Sequence, residues 1–397
     1  MKLYQLLLLL ILSLSLSFTL KAEVGEDKSE NSHLSTLPKS VKILWQKIGG
    51  LPAPEGFSES IGISGAYSGL LGDYLIVAGG ANFPNGHPFF QQGQKVFYSD
   101  IFVFDVSSDK LKLVSRGHLP IKAGHGSTLL VDNSLYLVGG KNSEQALDSI
   151  IKLTLDASQS PQVEVLGKLP FTWESGGAAW QDNSLYTFAG KQNGQVSNLV
   201  CKYSFQSSTC VDTSVTPPLP GVSRTDFPAL SHDGHFYIFG GLNFNVEKDN
   251  VALTDAYRFN FKKAQWQTLA PITLEEEPFA VAGGGAAVLS NDQIVLLGGV
   301  NRAVFDHAVG QLTRLKGEDL RAFKQEYFSL SKADINFSRH QIVYNISDNF
   351  WTKLTDKVPF SGGAGPVTIS QQDNNIFWIS GEIKPVIRSP NVYQGKF

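Results

Sequence analysis

The chain is 397 residues long, carries a formal net charge of −3 and contains no block of basic residues, so it lacks the positive footprint that nucleic-acid binding needs. Its 38 glycines, 11% aromatic residues and single methionine, Met1, point to short strands and tight turns rather than helices. Length alone suggests two domains, a prior that repeated β folds escape.

In chain order, Lys2 precedes an apolar run from Leu3 to Leu20, and Lys21 and the small residue Ala22 follow. Residues 1–22 read as an export signal, which places the mature protein in the periplasm. The run is also long enough to nearly span a bilayer as a retained anchor, but Ala22 and the polar composition beyond it favour cleavage. Residues 23–40 are charged and polar and read as a flexible leader. Residues 41–397 read as the folded part.

That part is repetitive. "DYLIVAGG", "NSLYLVGG", "NSLYTFAG", "GHFYIFGG", "DQIVLLGG" and "NNIFWISG" end at Gly80, Gly140, Gly190, Gly241, Gly299 and Gly381. Each joins a polar turn, an apolar strand and a small or glycine pair. A glycine-rich strand precedes each, an aromatic strand such as "DIFVFDV" or "DAYRFNF" follows most, and several units add a tryptophan, as at Trp266 and Trp351. Four strands in about 50 residues is the size of a propeller blade. The last unit runs out of chain before its fourth strand, whereas "LWQKIGGLP" with Trp45 supplies one at the other end. The expected fold is all-β: a six-bladed Kelch-type β-propeller, its last blade closed by the N-terminal strand.

Two local features fall within this scheme. Cys201 and Cys210, the only cysteines, bracket "KYSFQSST" between two strand-like runs, which in an exported protein reads as a cross-strand disulfide rather than as catalytic or metal-bound thiols. The fifth interval is longer than the others and contains "GEDLRAFKQEYFSL", an amphipathic helix carrying Leu320, Phe323 and Tyr327. A partly helical insertion is expected near residues 302–338.

Function in such a ring sits where loops surround the channel. Asn82, Asn243 and Asn301 occupy equivalent places after three glycine pairs, which turn geometry alone can explain. "GVSRTDFPAL" brings Arg224 and Asp226, and "KAGHGS" brings His125. An arginine facing a cavity suits a carboxylate, although Arg224 and Asp226 can equally pair with each other. There is no zinc-binding H-E-x-x-H, no phosphate-cradling glycine loop and no G-x-S-x-G elbow. No His/Tyr cluster supports a copper-radical site. The sharpest signal is Glu382. It follows the last small pair, where the other units have Ala81, Lys141, Lys191, Leu242 and Val300, and it is the only acid at that place. Arg388 stands six residues on. A partly desolvated carboxylate facing an arginine could take a proton from a sugar hydroxyl while the arginine holds an anionic group.

At these residues the sequence resembles the Kelch-type N-acetylneuraminate epimerases, or sialic acid mutarotases, and within them the branch with cyclically permuted blade order. "GEIKPVIRS" is similar to the family signature G-E-x-K-P-G-x-R-T, with Val386 in place of the glycine and Ser389 in place of the threonine. The resemblance implies that Glu382 is the catalytic base and Arg388 the second catalytic residue. "LPGVSRTDFPAL" and "GGVNRAVFDH" resemble further family segments and place Arg224, Asn301 and Phe305 at the substrate. The implied reaction interconverts the α and β anomers of N-acetylneuraminate by base-assisted ring opening and reclosure, with an acidic sugar as partner and no cofactor. A related ulosonic acid as substrate, or a sugar-binding or interaction propeller without catalysis, are the alternative expectations.

Overall fold

Each apolar run that ends in a small or glycine pair forms the second strand of a four-stranded antiparallel sheet. The computed structural model describes residues 41–211, 216–244, 251–360, 362–363, 368–372 and 374–397; the segments read as export signal and leader lie outside the described residues. Six such sheets follow one another along the chain. Sheet 1 comprises Tyr67–Leu71, Tyr74–Ala78, Asp100–Asp105 and Lys112–His118, and sheet 2 comprises Ser127–Val131, Ser134–Val138, Ser149–Leu155 and Pro161–Lys168. Sheet 3 contains Gly177–Gln181, Ser184–Phe188, Val200–Ser204 and Thr209–Cys210; sheet 4 contains Ala229–His232, His235–Leu242, Ala252–Asn260 and Gln265–Thr268. Sheet 5 is built from Gly285–Ser290, Gln293–Leu297, Gln341–Asn345 and Phe350–Lys353. Sheet 6 takes Thr368–Gln372, Asn375–Ile379 and Asn391–Lys396 from the C-terminal end, and its outer strand is Leu44–Gly50.

The sheets pack face to face, which explains why the second strands are apolar without alternation. Leu75, Ile76, Val77 and Ala78 are all buried, because Leu75 and Val77 face sheet 6 while Ile76 and Ala78 face sheet 2. Separate apolar clusters fill the spaces between sheets 2 and 3, 3 and 4, 4 and 5, and 5 and 6. The first strands of neighbouring sheets touch one another around a central channel, those of sheets 6 and 1 included.

Tryptophans of the outer strands tie sheets 4, 5 and 6 to the chain of the preceding unit. Trp266 Nε1 donates to Pro217 O and Trp351 Nε1 to Ala270 O, both at 2.9 Å. Trp45, on the N-terminal strand, does the same for sheet 6 by donating to Gln341 Oε1 at 2.9 Å. The glycine pairs sit where backbones crowd. Gly79 has φ +64°, and a Cβ there would lie 2.2 Å from Ala123 O, so no side chain fits.

Cys201 and Cys210 are joined as a disulfide across the outer two strands of sheet 3. Between the second and third strands of sheet 5 the chain forms three helices: α1 (Arg302–Arg314), α2 (Gly317–Ser329) and α3 (Lys332–Ile335). The segment read as helical from the sequence is α2. The pattern of α1 is harder to see because Gly310 lies inside it and its N-cap, Asn301, reads equally well as a turn residue.

Candidate active site

Beyond Gly381 the chain makes a detour before it rejoins sheet 6. Glu382–Lys384 pairs with Ile387–Arg388 as a two-stranded hairpin, in which Glu382 stands opposite Arg388. Their sequence separation sets no register by itself; the hairpin does. Val386 forms the turn with φ +74°. Its N–H donates to Glu382 Oε1, and its carbonyl accepts from Arg388 Nη1. Arg388 Nε donates to Ser64 Oγ at 3.2 Å, and the guanidinium lies 4.9 Å from the centroid of the Phe83 ring.

Arg388 Nη2 and Glu382 Oε2 are 3.9 Å apart, with the side chains 4% and 17% exposed. This pair is loose, so attraction does not offset desolvation. Burial holds the Glu382 carboxyl above its usual range, although Arg388, the Val386 N–H and Lys95 pull the other way. Burial likewise lowers Arg388.

The pair faces a cavity of about 320 Å³. Lys141, Lys191, Leu242 and Val300 line it from sheets 2 to 5, each directly after its own small pair, as Glu382 follows Gly381. Phe305 enters from α1 and Tyr327 from α2. Lys95 bends in from the long loop that follows Asn82, and its Nζ lies 2.9 Å from His125 Nε2. Lys141 is ion-paired with Glu174 at 2.7 Å. Burial, then Lys141 and Arg388, push Lys95 down to about 8 against the pull of Glu382 and Asp226. Burial also keeps His125 well below its ordinary value, with Lys95 and Lys141 adding to the effect, and it raises Asp226. Lys95, Lys141, Lys191 and Arg388 give the cavity a positive field, which attracts an anion.

The floor is a belt of backbone hydrogen bonds. His125 N–H donates to Gly65 O at 2.7 Å, Ser175 N–H to His125 O at 2.8 Å, Asp226 N–H to Ser175 O at 3.0 Å and Gly283 N–H to Asp226 O at 2.8 Å. Each residue precedes the first strand of its sheet, and all five have φ between +54° and +72°. Two are glycines; three are not. A left-handed backbone costs a non-glycine residue about 1 kcal/mol or more, so His125, Ser175 and Asp226 hold their side chains in the cavity at the expense of local strain. Below them a second cavity of about 230 Å³ continues down the channel.

Of the residues singled out in the sequence, Glu382, Arg388, Phe305, His125 and Asp226 meet in this cavity. Arg224 does not. Its side chain is fully buried, donates to both oxygens of Asp255 at 2.6 and 2.8 Å, and adds bonds to Gly240 O and Val222 O. The expected carboxylate grip is corrected to a structural tie within sheet 4, because no guanidinium edge is left for a ligand. Its expected partner Asp226 is instead part of the cavity floor. Asn301 also serves the fold: its side chain accepts from Val304 N–H at 3.1 Å and caps α1, beside an outer cleft rather than the cavity. Asn82 is held by Gly62 O and the Tyr98 hydroxyl. Lys95 carries no sequence signal, and Tyr327 reads in the sequence only as a position of the amphipathic helix. For Lys141 and Lys191 the signal was present, since they occupy the repeated position of Glu382. Among the described residues no three His, Cys, Asp or Glu side chains converge as a metal-binding cluster.

Four-stranded sheets arranged around a channel whose mouth holds Glu382 among four cations, with Asp226 in its floor, define a β-propeller with a charged pocket. The chain belongs to the N-acetylneuraminate epimerase family, whose description matches residues 27–161 and 166–397. It is 37% identical over 180 residues to the N-acetylneuraminate epimerase of Yersinia pestis (strain Pestoides F), covering 44% of each chain. It is 34% identical over 182 residues to that of Haemophilus influenzae (strain PittEE), covering 45% of this chain and 46% of the relative. The matched region thus spans under half the length of these curated relatives. Among solved structures, one described as "Structure of YjhT" superposes with a TM-score of 0.59 at 12% identity, covering 83% of this chain and 94% of the other, a likeness of fold.

Proposed function

We propose that the protein is a mutarotase that interconverts the α and β anomers of N-acetylneuraminate or a closely related ulosonic acid. The observation that carries this reading is the loose, buried Glu382–Arg388 pair facing a cavity lined by Lys95, Lys141 and Lys191. In the proposed mechanism, Glu382 takes the proton of the anomeric hydroxyl and the ring opens to the keto form. Rotation and reclosure on the other carbonyl face give the other anomer. Arg388 holds the carboxylate next to the anomeric carbon, with Phe305 against the apolar face of the sugar. A proton acceptor is most effective when its pKa lies near the working pH, and the upward shift of Glu382 serves that end.

The scaffold in this proposal is a six-bladed Kelch-type propeller closed by the N-terminal strand, residues 41–397, with α1 to α3 as an insertion over the cavity. Residues 1–22 direct export to the periplasm and residues 23–40 form a leader. The pairing of Leu44–Gly50 with Asn391–Lys396 and the apolar cluster between sheets 6 and 1 support closure. Among the described residues, no helix is long and apolar enough to cross a membrane.

The test is the anomer exchange of freshly dissolved N-acetylneuraminate, followed by proton NMR with purified protein and with Glu382→Gln. Acceleration that vanishes in the variant is the expected result. A folded wild-type protein that leaves the exchange rate unchanged removes this substrate, and the same assay with other ulosonic acids then decides between a different sugar and binding alone.

A further inference from the structure

Opening a cyclic hemiketal moves two protons. One leaves the anomeric hydroxyl, and one must arrive at the ring oxygen as its bond to the anomeric carbon breaks. Glu382 accounts for the first. Among the groups lining the cavity, Tyr327 holds its proton too firmly, its pKa pushed up to about 12 by burial and by Glu382. Arg388 is a permanent cation, and Lys141 is ion-paired with Glu174. Lys95 differs from all three, and it, rather than the remaining lysine Lys191, is the one that a strained cavity side chain, His125, holds in place. It lines the same cavity as Glu382, and its Nζ has three N–H donors, one of which points at His125 Nε2 at 2.9 Å. An ammonium cannot accept, so His125 is neutral with its proton on Nδ1.

His125 is placed for that contact at a cost. Its backbone stands at φ +60° in the belt where Gly65 and Gly283 do without a side chain. Gly65 is also what leaves room for the imidazole, since a Cβ there would lie 2.9 Å from the ring. An observed strained residue at a cavity floor argues for the function of its side chain.

Resting on the mutarotase reading above, we propose that Lys95, held by His125, is the acid that protonates the ring oxygen on opening and takes the proton back on closure. The step balances. The Glu382 carboxylate accepts the hydroxyl proton, the carbonyl forms, and the electron pair of the broken carbon–oxygen bond goes to the ring oxygen, which takes a proton from the Lys95 ammonium. Reclosure reverses each transfer on the opposite carbonyl face, returning Lys95 to ammonium and Glu382 to carboxylate, with no other reactant.

The groups that act on Lys95 come from several elements: His125 and Lys141 from around sheet 2, Asp226 from the belt, and Glu382 and Arg388 from the hairpin. The cations and burial outweigh the carboxylates, leaving the amine at about 8. It is therefore charged at neutral pH and still able to give up its proton.

The experiment is the pH profile of anomer exchange, between about pH 5 and 10 with the uncatalysed rate subtracted, for wild type, Lys95→Arg, Lys95→Met and Asp226→Asn. Circular dichroism melts check that each is folded. Wild type is expected to lose rate above about pH 8 as Lys95 loses its proton. Lys95→Arg keeps the positive charge but not the transferable proton. It should slow about 100-fold or more, the usual scale of a lost acid, and the fall near pH 8 should disappear; Lys95→Met should behave likewise. A folded Lys95→Arg with near wild-type rate overturns the proposal. So does a slow variant that retains the same fall, or loss of that fall in Asp226→Asn rather than in the lysine variants. These outcomes leave the mutarotase reading standing. A wild-type protein without acceleration removes that reading, and this proposal with it.

Discussion

Glu382 and Arg388 stand opposite each other in a two-stranded hairpin, yet their nearest nitrogen and oxygen are 3.9 Å apart while the Val386 N–H bonds the same carboxylate. The arginine is thus near enough to pull on the carboxylate but not locked to it, and one edge remains for a substrate anion. Glu382→Gln keeps shape and loses the base. Exchange of N-acetylneuraminate anomers is expected to fall toward the uncatalysed rate, a loss of about 100-fold or more, with the melting temperature unchanged or higher because a buried charge is gone. Arg388→Lys removes the fork that reaches both Ser64 and Val386 and is expected to raise KM more than it lowers kcat. Steady-state NMR kinetics separate the two.

The same environment makes stability depend on pH in two opposite ways. Glu382 holds its proton more tightly folded than unfolded, so between about 4.5 and its raised value the native state binds more protons and stability falls as pH rises. Lys95 does the reverse. Unfolded, it keeps its proton up to about 10.5, and folded it loses it near 8, so stability climbs across that window. Urea unfolding across pH is expected to show the first trend weakened in Glu382→Gln and the second absent in Lys95→Met. Identical profiles for wild type and variants would contradict the environment described for both groups.

Arg224 and Asp255 yield a stability effect instead of a kinetic one. Burial works against the Asp255 carboxylate, but the hydrogen bonds and charge of Arg224 hold it below the usual range. Arg224→Met strands that carboxylate and is expected to cost about 1–2 kcal/mol, less than a fully buried broken pair because Asp255 is one-third exposed and partly screened by solvent. Its lower urea midpoint should come without a change in KM. In wild type this contribution is present above the ordinary carboxylate range and fades as pH drops through the depressed value. A variant with normal stability and a raised KM would return Arg224 to the substrate site.

Residues that act through repetition are legible in the sequence, and those placed by long-range packing are not. The glycine pairs and tryptophans recur, so the six sheets and the pairing partner of Trp45 were readable from spacing alone. The position after each glycine pair recurs too, and it lines the cavity at Lys141, Lys191, Leu242, Val300 and Glu382. Lys95 belongs to no repeat. It lies in a loop whose return path is set by long-range packing, and nothing local marks it among the other polar residues there. Arg224 is obscured for the opposite reason. Its position recurs near the channel, but its side chain turns away to Asp255, 31 residues on, a partner that no local pattern reveals.

Val386, which the sequence resemblance sets against a glycine, adopts the conformation that glycine prefers, φ +74°. A β-branched residue is strained there by about 1–2 kcal/mol. Glycine relieves this but gains conformational freedom in the unfolded chain, which offsets about 0.5–1 kcal/mol. Val386→Gly is therefore expected to be more stable by up to about 1 kcal/mol, with the hairpin and exchange activity kept. A clear loss of stability in urea would mean that packing of the valine side chain outweighs the backbone term.

The roof of the cavity is held by aromatic contacts between two insertions. Phe328 of α2 packs against His87 and Phe89, with ring centroids 4.9 and 5.9 Å away, and both belong to the loop that carries Lys95. Its neighbour Tyr327 lines the cavity. The contact thus fixes the loop and the helix to each other, on either side of the place where the sugar would lie. Phe328→Ala removes the shared ring, which does not itself line the cavity but also packs on Tyr327 with ring centroids 5.3 Å apart. Because the six sheets do not depend on it, the global melting temperature should change little. Lys95 would lose its fixed approach, and small misplacements of a reacting group are costly, so kcat is expected to fall by about tenfold. Hydrogen exchange should show faster exchange confined to α2 and the loop between Phe83 and Lys95. Unchanged kcat together with loosened segments would show that the roof does not position Lys95.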